Sequence, residues 1–478
     1  MKAEHKTFYK DVIKEIETGS LAVFAGAGLS VAAGHVNWKQ LLKDITEDLG
    51  LNYNKETDLI AIAQYNTNKI GNRSVINRKI IDEFNKDIEL TENHEILSRL
   101  PIYSYWTTNY DNLIEKSLEA LKRIPDVKHS VSQLPYPKPR RDAIVYKMHG
   151  DATMPEEAVI TKDDYERYPV DKAGFLTALN SELLSKLFVF IGFSFTDPNL
   201  DYILSRVRIQ MKGAQRHHYH FVRKVSKADY KAEDMADYEF DLRKQELFVN
   251  DLRRFGLQPV YVDSYEEITD ILREIESEFK RKTIFISGSA EEYGSFTPQQ
   301  AQGFIHKLSA GLVGDSLRIV NGFGWGVGSA VINGALSKIY DKHEKYSREQ
   351  LIVKPFPQFA TGGKTLDVLW ADYRQDMISY AGIAIIIFGN KKNATTGAIE
   401  QAQGVYKEYQ IVKEKNLFII PVYTTGSMAK QIFEEIESDS FGLKPDSDLF
   451  KLMIGIKTLT EEDEIIKQIL NIIKLLNL

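Results

Sequence analysis

The chain has 478 residues, with 61 Lys and Arg against 67 Asp and Glu for a formal charge of −6, 43% hydrophobic residues and 27% charged ones. That balance suits a soluble globular protein of two or three domains and offers no basic surface for nucleic acid. Cysteine is absent, which excludes disulfides, thiolate catalysis and cysteine zinc sites.

In chain order, MKAEHKTFYKDVIKEI lacks the apolar core of a signal peptide, and no later apolar run nears the ~20 residues that span a bilayer. A cytoplasmic protein without a membrane segment is expected. The first strand-like run, LAVFAGAGLS (21–30), ends in Gly26-Ala27-Gly28 and Ser30. A strand that runs into glycines ahead of a helix exposes N–H groups able to cradle a pyrophosphate; a tight turn that needs glycine's freedom accounts for the same residues. IYSYWTTN, DAIVYKMHG and KLFVFIGFS follow as strands, and HHYHFVRK and LQPVYV extend the set. Their alternation with helical stretches predicts a parallel sheet covered on both faces.

SYEEITDILREIESEFKRK predicts a long amphipathic helix that closes the first domain, with the boundary near Lys280 to Thr283, giving domains 1–281 and 282–478. A second strand series follows: TIFISGSA, LRIVNGFGWGVGSA, LIVKPFP, GIAIIIFGN and NLFIIPVYTTG. The last stretch, EEDEIIKQILNIIKLLNL, predicts a packed closing helix or an oligomer contact. The expected fold is α/β, two doubly wound, Rossmann-like parallel-sheet domains in tandem.

Polar residues stand at three further strand ends of the first domain: Asn109 and Asp111 in WTTNYD, His149 in KMHGD and Ser194 in IGFSFTDPN. The carboxyl ends of strands in an open parallel sheet converge on one crevice, so these groups are expected to meet around one ligand. Singly, His149 reads as a structural histidine, Asn109 and Asp111 as a turn or helix cap, and Ser194 as a small residue at a tight crossing.

G-A-G-L-S, T-N-Y-D, H-G and G-F-S, in this order, resemble the NAD-binding signatures of sirtuins over roughly residues 20–200. The resemblance implies that Gly26, Ala27, Gly28 and Ser30 hold the NAD+ diphosphate, that Asn109 and Asp111 face the nicotinamide ribose and carboxamide, with Ser194 beside them, and that His149 is the base. Where sirtuins continue with a serine-glycine-isoleucine-proline-aspartate-phenylalanine-arginine run, this chain has AAGHVNWK, with Trp38 at the aromatic position and Lys39 in place of arginine. The four-cysteine zinc module of sirtuins is absent, so no metal is expected and water is the expected acceptor of the ADP-ribosyl group. An NAD+-dependent protein deacylase and a nucleotide-binding regulator without turnover are the alternatives.

In the second domain ISGSA (Gly288, Ser289), NGFGWGVGSA (Gly322, Gly324), DYRQDMI (Arg374) and GVYKEY (Glu408) resemble the SLOG superfamily of nucleotide-derivative binders. Arg374 and Lys391, in GNKK, read singly as ordinary surface cations, while as a cationic pair beside a glycine loop they suit a diphosphate. The related phosphoribohydrolases carry a proline-glycine-glycine motif and a threonine that are missing here, which favours ligand sensing; close strand–helix packing also accounts for the glycines. A sirtuin-like domain followed by a SLOG domain resembles the NAD+-consuming effectors of bacterial Thoeris anti-phage defence. That resemblance implies a cyclic ADP-ribose isomer as activator, a Toll/interleukin-receptor-domain protein as its producer, and a homo-oligomer of four or more subunits.

Overall fold

A computed structural model of the chain describes residues 3–195 and 197–477. Contacts divide it into two compact units, Met1–Glu276 and Ser277–Leu478, the division falling inside the helix Glu266–Arg281.

The first unit is built on a seven-stranded parallel sheet. Its strands are β1 (Leu21–Ala25), β2 (Ser104–Thr107), β3 (Pro125–Lys128), β4 (Ala143–Lys147), β5 (Leu187–Ile191), β6 (His218–Arg223) and β7 (Leu257–Val262), in the order β3-β4-β2-β1-β5-β6-β7. Central strands covered on both faces read as unbroken apolar runs, and both LAVFA and LFVFI are buried throughout. Val23 stands opposite Tyr105 on one side and Val189 on the other. Phe24 stacks on Phe190 with centroids 5.2 Å apart, and Trp106 on Tyr146 at 4.0 Å; burying each such ring contributes roughly 1.5–3 kcal/mol. Strand β3, which the sequence pattern did not reveal, begins with Pro125 at the sheet edge, where no ladder N–H is needed.

Between β1 and β2 lies a run of short helices, among them Trp38–Leu41, Leu59–Ile70 and Ser74–Phe84, with a small core of Leu42, Ile62, Ile76 and Ile80. On the sheet, β1 is flanked by β2 on one side and β5 on the other, which opens a crevice at the carboxyl ends of these strands.

The second unit has β8 (Thr283–Ser289), β9 (Arg318–Asn321), β10 (Leu351–Val353), β11 (Ile383–Phe388) and, after the antiparallel hairpin β12 (Asn390–Lys392) and β13 (Ile399–Gln401), β14 (Phe418–Pro421). The parallel order is β10-β9-β8-β11-β14. β11, IAIIIF, is wholly buried at its centre. The helix Glu462–Leu476 turns Ile465, Ile469, Ile472 and Ile473 into this core, as its periodicity predicts. Among the described residues no helix is long and apolar enough to cross a membrane. Both expected parallel-sheet domains are present.

Candidate active site

A cavity of about 350 Å³ opens at the carboxyl ends of β1, β2, β4 and β5. Ala27, Gly28 and Ser30 reach it from the end of β1, Asn109 and Asp111 from β2, His149 from β4, and Ser194 and Asp197 from β5. The helical insertion adds Trp38, Lys39, Leu59 and Phe84. The residues expected to meet around one ligand do line one cavity, apart from Gly26, which is not among the lining residues.

The glycine loop is held by the loop after β5. Gly26 N–H donates to the Ile191 carbonyl at 2.8 Å and Gly28 N–H to the Gly192 carbonyl at 2.9 Å. A Cβ on Gly28 would lie 2.8 Å from Gly192 Cα. The glycines are required for this close approach, and their two N–H groups are already bonded within the protein rather than open to a phosphate.

Asn109 is anchored on the same loop. Its Nδ2 donates to the Gly26 carbonyl at 3.0 Å and to Ser30 Oγ at 2.8 Å, and its backbone N–H donates to Thr107 Oγ1 at 2.9 Å. A backbone carbonyl can only accept, so the amide orientation is set and Oδ1 is left as the free acceptor type. Asp111 uses Oδ1 to accept from Leu113 N–H at 3.1 Å, at the start of the helix Leu113–Ala120. Its Oδ2 is buried with no hydrogen-bond partner among the described residues. An unmatched buried acceptor costs on the order of 1–3 kcal/mol, a cost that a donor on a bound ligand removes.

Lys147 secures the loop that carries both residues. Fully buried, its Nζ donates to the backbone carbonyls of Tyr110 at 3.1 Å and Asp111 at 2.5 Å and to the Asp151 carboxylate, and lies 3.3 Å from Glu115. Burial opposes its charge, but Glu115 and Asp151 outweigh that and hold it above its ordinary value. Asp151 is raised by burial and lowered more by Lys147, ending below its usual range, whereas burial pushes Glu115 up.

His149 is 3% exposed, and its Nε2 lies 3.1 Å from Asp197 Oδ2. The approach falls short of hydrogen-bond geometry, and Nε2 has no bonded partner among the described residues. Tyr165 and Tyr168 set their rings edge-on to the imidazole, at 5.6 and 6.1 Å. Asp197 Oδ1 caps the helix Pro198–Met211, accepting from Asn199 and Leu200 N–H at 2.9 and 3.2 Å, and Oδ2 accepts from the Tyr165 hydroxyl at 3.3 Å. Burial alone would raise this carboxyl; His149 and the two backbone N–H groups bring it below its ordinary value. Asp197 and Tyr165 were not legible as site residues: Asp-Pro-Asn reads as a helix cap, which it is, and the second use of the carboxylate arises only where the loops after β4 and β5 meet.

In the second unit, Gly288, Gly322 and Gly324 are packing glycines. A Cβ on Gly324 would stand 2.0 Å from the Gly288 carbonyl oxygen, one on Gly288 2.5 Å from that of Ile387, and one on Gly322 2.8 Å from the Phe356 ring. Ser289 Oγ donates to the Asn390 carbonyl at 3.0 Å. Arg374, on the helix Leu366–Ser379, lies over the Phe356 ring at 4.9 Å and brings Nε 3.7 Å from Glu408 Oε1, too far for a hydrogen bond; that buried Nε has no bonded partner among the described residues. Glu408 accepts from Ser287 Oγ at 2.6 Å, and burial pushes its carboxyl up. Lys391 is held at 3.1 Å by Glu400 across the β12–β13 hairpin, so the two cations expected as a pair each have a carboxylate of their own.

The SIR2-like domain family matches residues 103–242, and the Sir2- and TIR-associating SLOG family matches residues 267–476. The chain is 47% identical over 442 residues to the NAD(+) hydrolase ThsA of Bacillus cereus (strain MSX-D12), covering 92% of this chain and 91% of that one. To the NAD(+) hydrolase ThsA of Acinetobacter baumannii (strain 532279) it is 43% identical over 481 residues, 99% of each chain. Defense-associated sirtuin 2 of Bacillus subtilis is a more distant relative, 25% identical over 321 residues, 63% of this chain and 30% of its own length. A SIR2-like match ahead of a SLOG match, and identity at this level along nearly the whole length, place the chain in the ThsA family of NAD+ hydrolases.

Proposed function

We propose that this NAD+ hydrolase depletes the cytoplasmic NAD+ pool as the effector of a bacterial anti-phage defence system, and that it does so when its second domain binds a cyclic ADP-ribose-type signal made by a Toll/interleukin-receptor-domain partner. In this reading residues 1–281 hydrolyse NAD+, residues 282–478 sense the signal, and the working form is a tetramer or a larger homo-oligomer. The names of the relatives, one of them a defense-associated sirtuin, and the TIR-associating character of the matched SLOG family support the defence context. The observation that carries the chemistry is the convergence of Asn109, Asp111 and His149 on one cavity.

In the proposed reaction the bond between the nicotinamide nitrogen and ribose C1′ breaks, and its electron pair leaves with the neutral nicotinamide. Positive charge then develops on the ribose ring, and preorganised acceptors stabilise it: Asn109 Oδ1 and Asp111 Oδ2, which has no bonded partner among the described residues. Water adds to C1′ while His149 takes its proton and later releases it to solvent. The products are nicotinamide, ADP-ribose and one proton. Ala27, Ser30 and Ser194 line the cavity toward the rest of the dinucleotide, and Lys39 is the one Lys or Arg among the lining residues, a cation suited to the diphosphate.

In the second domain Arg374, Lys391, Glu408 and the loops holding Gly288, Ser289, Gly322 and Gly324 are proposed to hold the signal. The test is NAD+ loss by the full chain against a panel of cyclic ADP-ribose isomers, for wild type, His149→Ala and Arg374→Ala. Activation of wild type by one isomer and its loss in both variants is expected. An activation curve unchanged by Arg374→Ala overturns the sensor assignment.

A further inference from the structure

The Asp197–His149 contact extends the catalytic centre by one residue. We infer that Asp197 is the positioning residue for His149: its carboxylate holds the imidazole by Nε2 and stabilises the ring as it takes the proton from water. The inference rests on His149 being the base.

Three observations support it. Nε2 has Asp197 Oδ2 at 3.1 Å and no bonded partner among the described residues, so this carboxylate is the group that orients that edge of the ring. Asp197 is itself held: the N–H groups of Asn199 and Leu200 fix Oδ1, and the Tyr165 hydroxyl donates to Oδ2. A carboxylate bound at both oxygens cannot swing away, and it presents a fixed negative charge to the histidine. Finally, an ionised carboxylate only accepts, which places the hydrogen of the neutral ring on Nε2 and its lone pair on Nδ1, leaving Nδ1 as the basic nitrogen. Among the described residues the titratable groups in direct contact with the imidazole are Asp197, Tyr165 and Tyr168, of which Asp197 is the one charged at neutral pH, and Asp111 and Lys39 line the same cavity. The 3.1 Å approach of Nε2, short of hydrogen-bond geometry, fits a contact that tightens as the ring gains charge.

The discriminating variant is Asp197→Asn. Asparagine caps helices as well as aspartate, so the helix Pro198–Met211 keeps its cap while the charge is lost. Nicotinamide release from NAD+ is measured on the full chain with the cyclic ADP-ribose panel present, across pH, with thermal unfolding alongside. Asp197→Asn is expected to lower kcat/KM by at least about tenfold, with little change in unfolding temperature, because an unsupported histidine loses orientation and proton affinity. The acid limb of its pH profile is expected to move to lower pH, since the charge that favours imidazolium is gone. Asp197→Glu, which keeps the charge, is expected to leave that limb close to wild type. Wild-type kcat/KM and an unmoved acid limb in Asp197→Asn, with His149→Ala inactive, overturn the positioning role alone. Full turnover in folded His149→Ala overturns the reading beneath it as well.

Discussion

Gly26 and Gly192 approach so closely that a Cβ on the first would stand 2.4 Å from the carbonyl oxygen of the second. Gly26 has φ −102° and ψ −179°, a backbone conformation open to any residue, so the demand for glycine is purely steric. Gly26→Ala is therefore expected to push the loops after β1 and β5 apart, costing about 1–3 kcal/mol in urea unfolding. It should also lower kcat, because the displaced Gly26 carbonyl anchors Asn109. An alanine variant with unchanged stability and turnover removes this account of the loop.

Asn109 offers a sharper test of the proposed chemistry. Asn109→Asp keeps the shape but loses the Nδ2 donor to the Gly26 carbonyl, setting an acceptor against an acceptor, while Asn109→Ala removes both ends of the amide. Each is expected to lower turnover by about 10²-fold or more, comparable to His149→Ala, with NAD+ binding reduced less. Single-turnover kinetics separate the two effects. A variant that raises KM and leaves kcat untouched would assign Asn109 to uniform binding instead.

The crevice was legible because a parallel sheet brings strand ends together whatever the loops contain; that rule singled out Asn109, Asp111, His149 and Ser194, and the sirtuin resemblance gave them roles. The details depended on contacts between loops distant in sequence. Nothing local to G-A-G shows that its two glycine N–H groups bond to the last residue of β5 and the first of the loop after it, and nothing local to Asp197 shows a histidine beside it. Lys391 was read next to Arg374 because both lie near glycine loops, but the three-residue strands of the β12–β13 hairpin carry too little pattern to reveal that Glu400 holds it.

Lys39 gains its importance from the same loop geometry. With the Gly26 and Gly28 N–H groups occupied, the diphosphate needs another positive group, and Lys39 lines the cavity with its ammonium 5.1 Å from the Tyr53 ring centre. Lys39→Ala is expected to raise the KM for NAD+ by about 5- to 20-fold with kcat little changed, as for loss of one charge-assisted contact of about 1–2 kcal/mol. Raising the salt concentration should weaken wild-type binding and narrow the difference. Equal KM values in low salt count against the assignment.

Lys147 predicts a stability effect with a defined pH window. Asp151 and Asp197 have folded values below their ordinary ones, so each contributes stability that is present above about pH 4 and lost as pH falls through its folded value. Lys147 is held above its ordinary value, so its contribution is present below about pH 10 and lost as pH rises through its folded value. Glu115, pushed up by burial, acts in the opposite sense to the two aspartates. Lys147→Met strands two buried carboxylates and is expected to cost about 3–5 kcal/mol at pH 7, with a smaller loss at pH 4 as they protonate. Urea midpoints at the two pH values check this; equal losses at both would mean that the lysine acts by packing alone.

The last prediction concerns the Arg374–Glu408 pair. Glu408 is buried, bonded to Ser287 and pushed up in pKa, and the Arg374 guanidinium lies over Phe356 with a buried Nε lacking a bonded partner among the described residues. A donor without an acceptor beside a carboxyl that resists ionisation is a pair suited to a ligand bringing its own negative oxygens and hydroxyls, and the proposed signal supplies both. For such a ligand to switch on hydrolysis it must favour the active arrangement over the resting one, since equal affinity shifts nothing. Arg374→Ala is expected to show no activation by the effective isomer up to at least about 100 times the wild-type midpoint concentration. Glu408→Gln keeps an acceptor for the Ser287 hydroxyl and removes the chance of charge, so it should fold with wild-type stability while selecting less well between cyclic ADP-ribose and linear ADP-ribose. Lys391→Ala, in contrast, first releases Glu400 on the exposed hairpin, so its effect should be smaller than that of Arg374→Ala and fall with added salt. Activation curves for the three variants and both ligands decide the matter: an Arg374→Ala curve that overlays wild type removes the pair from the sensing site, and a Lys391→Ala shift larger than that of Arg374→Ala moves the centre of recognition to the hairpin.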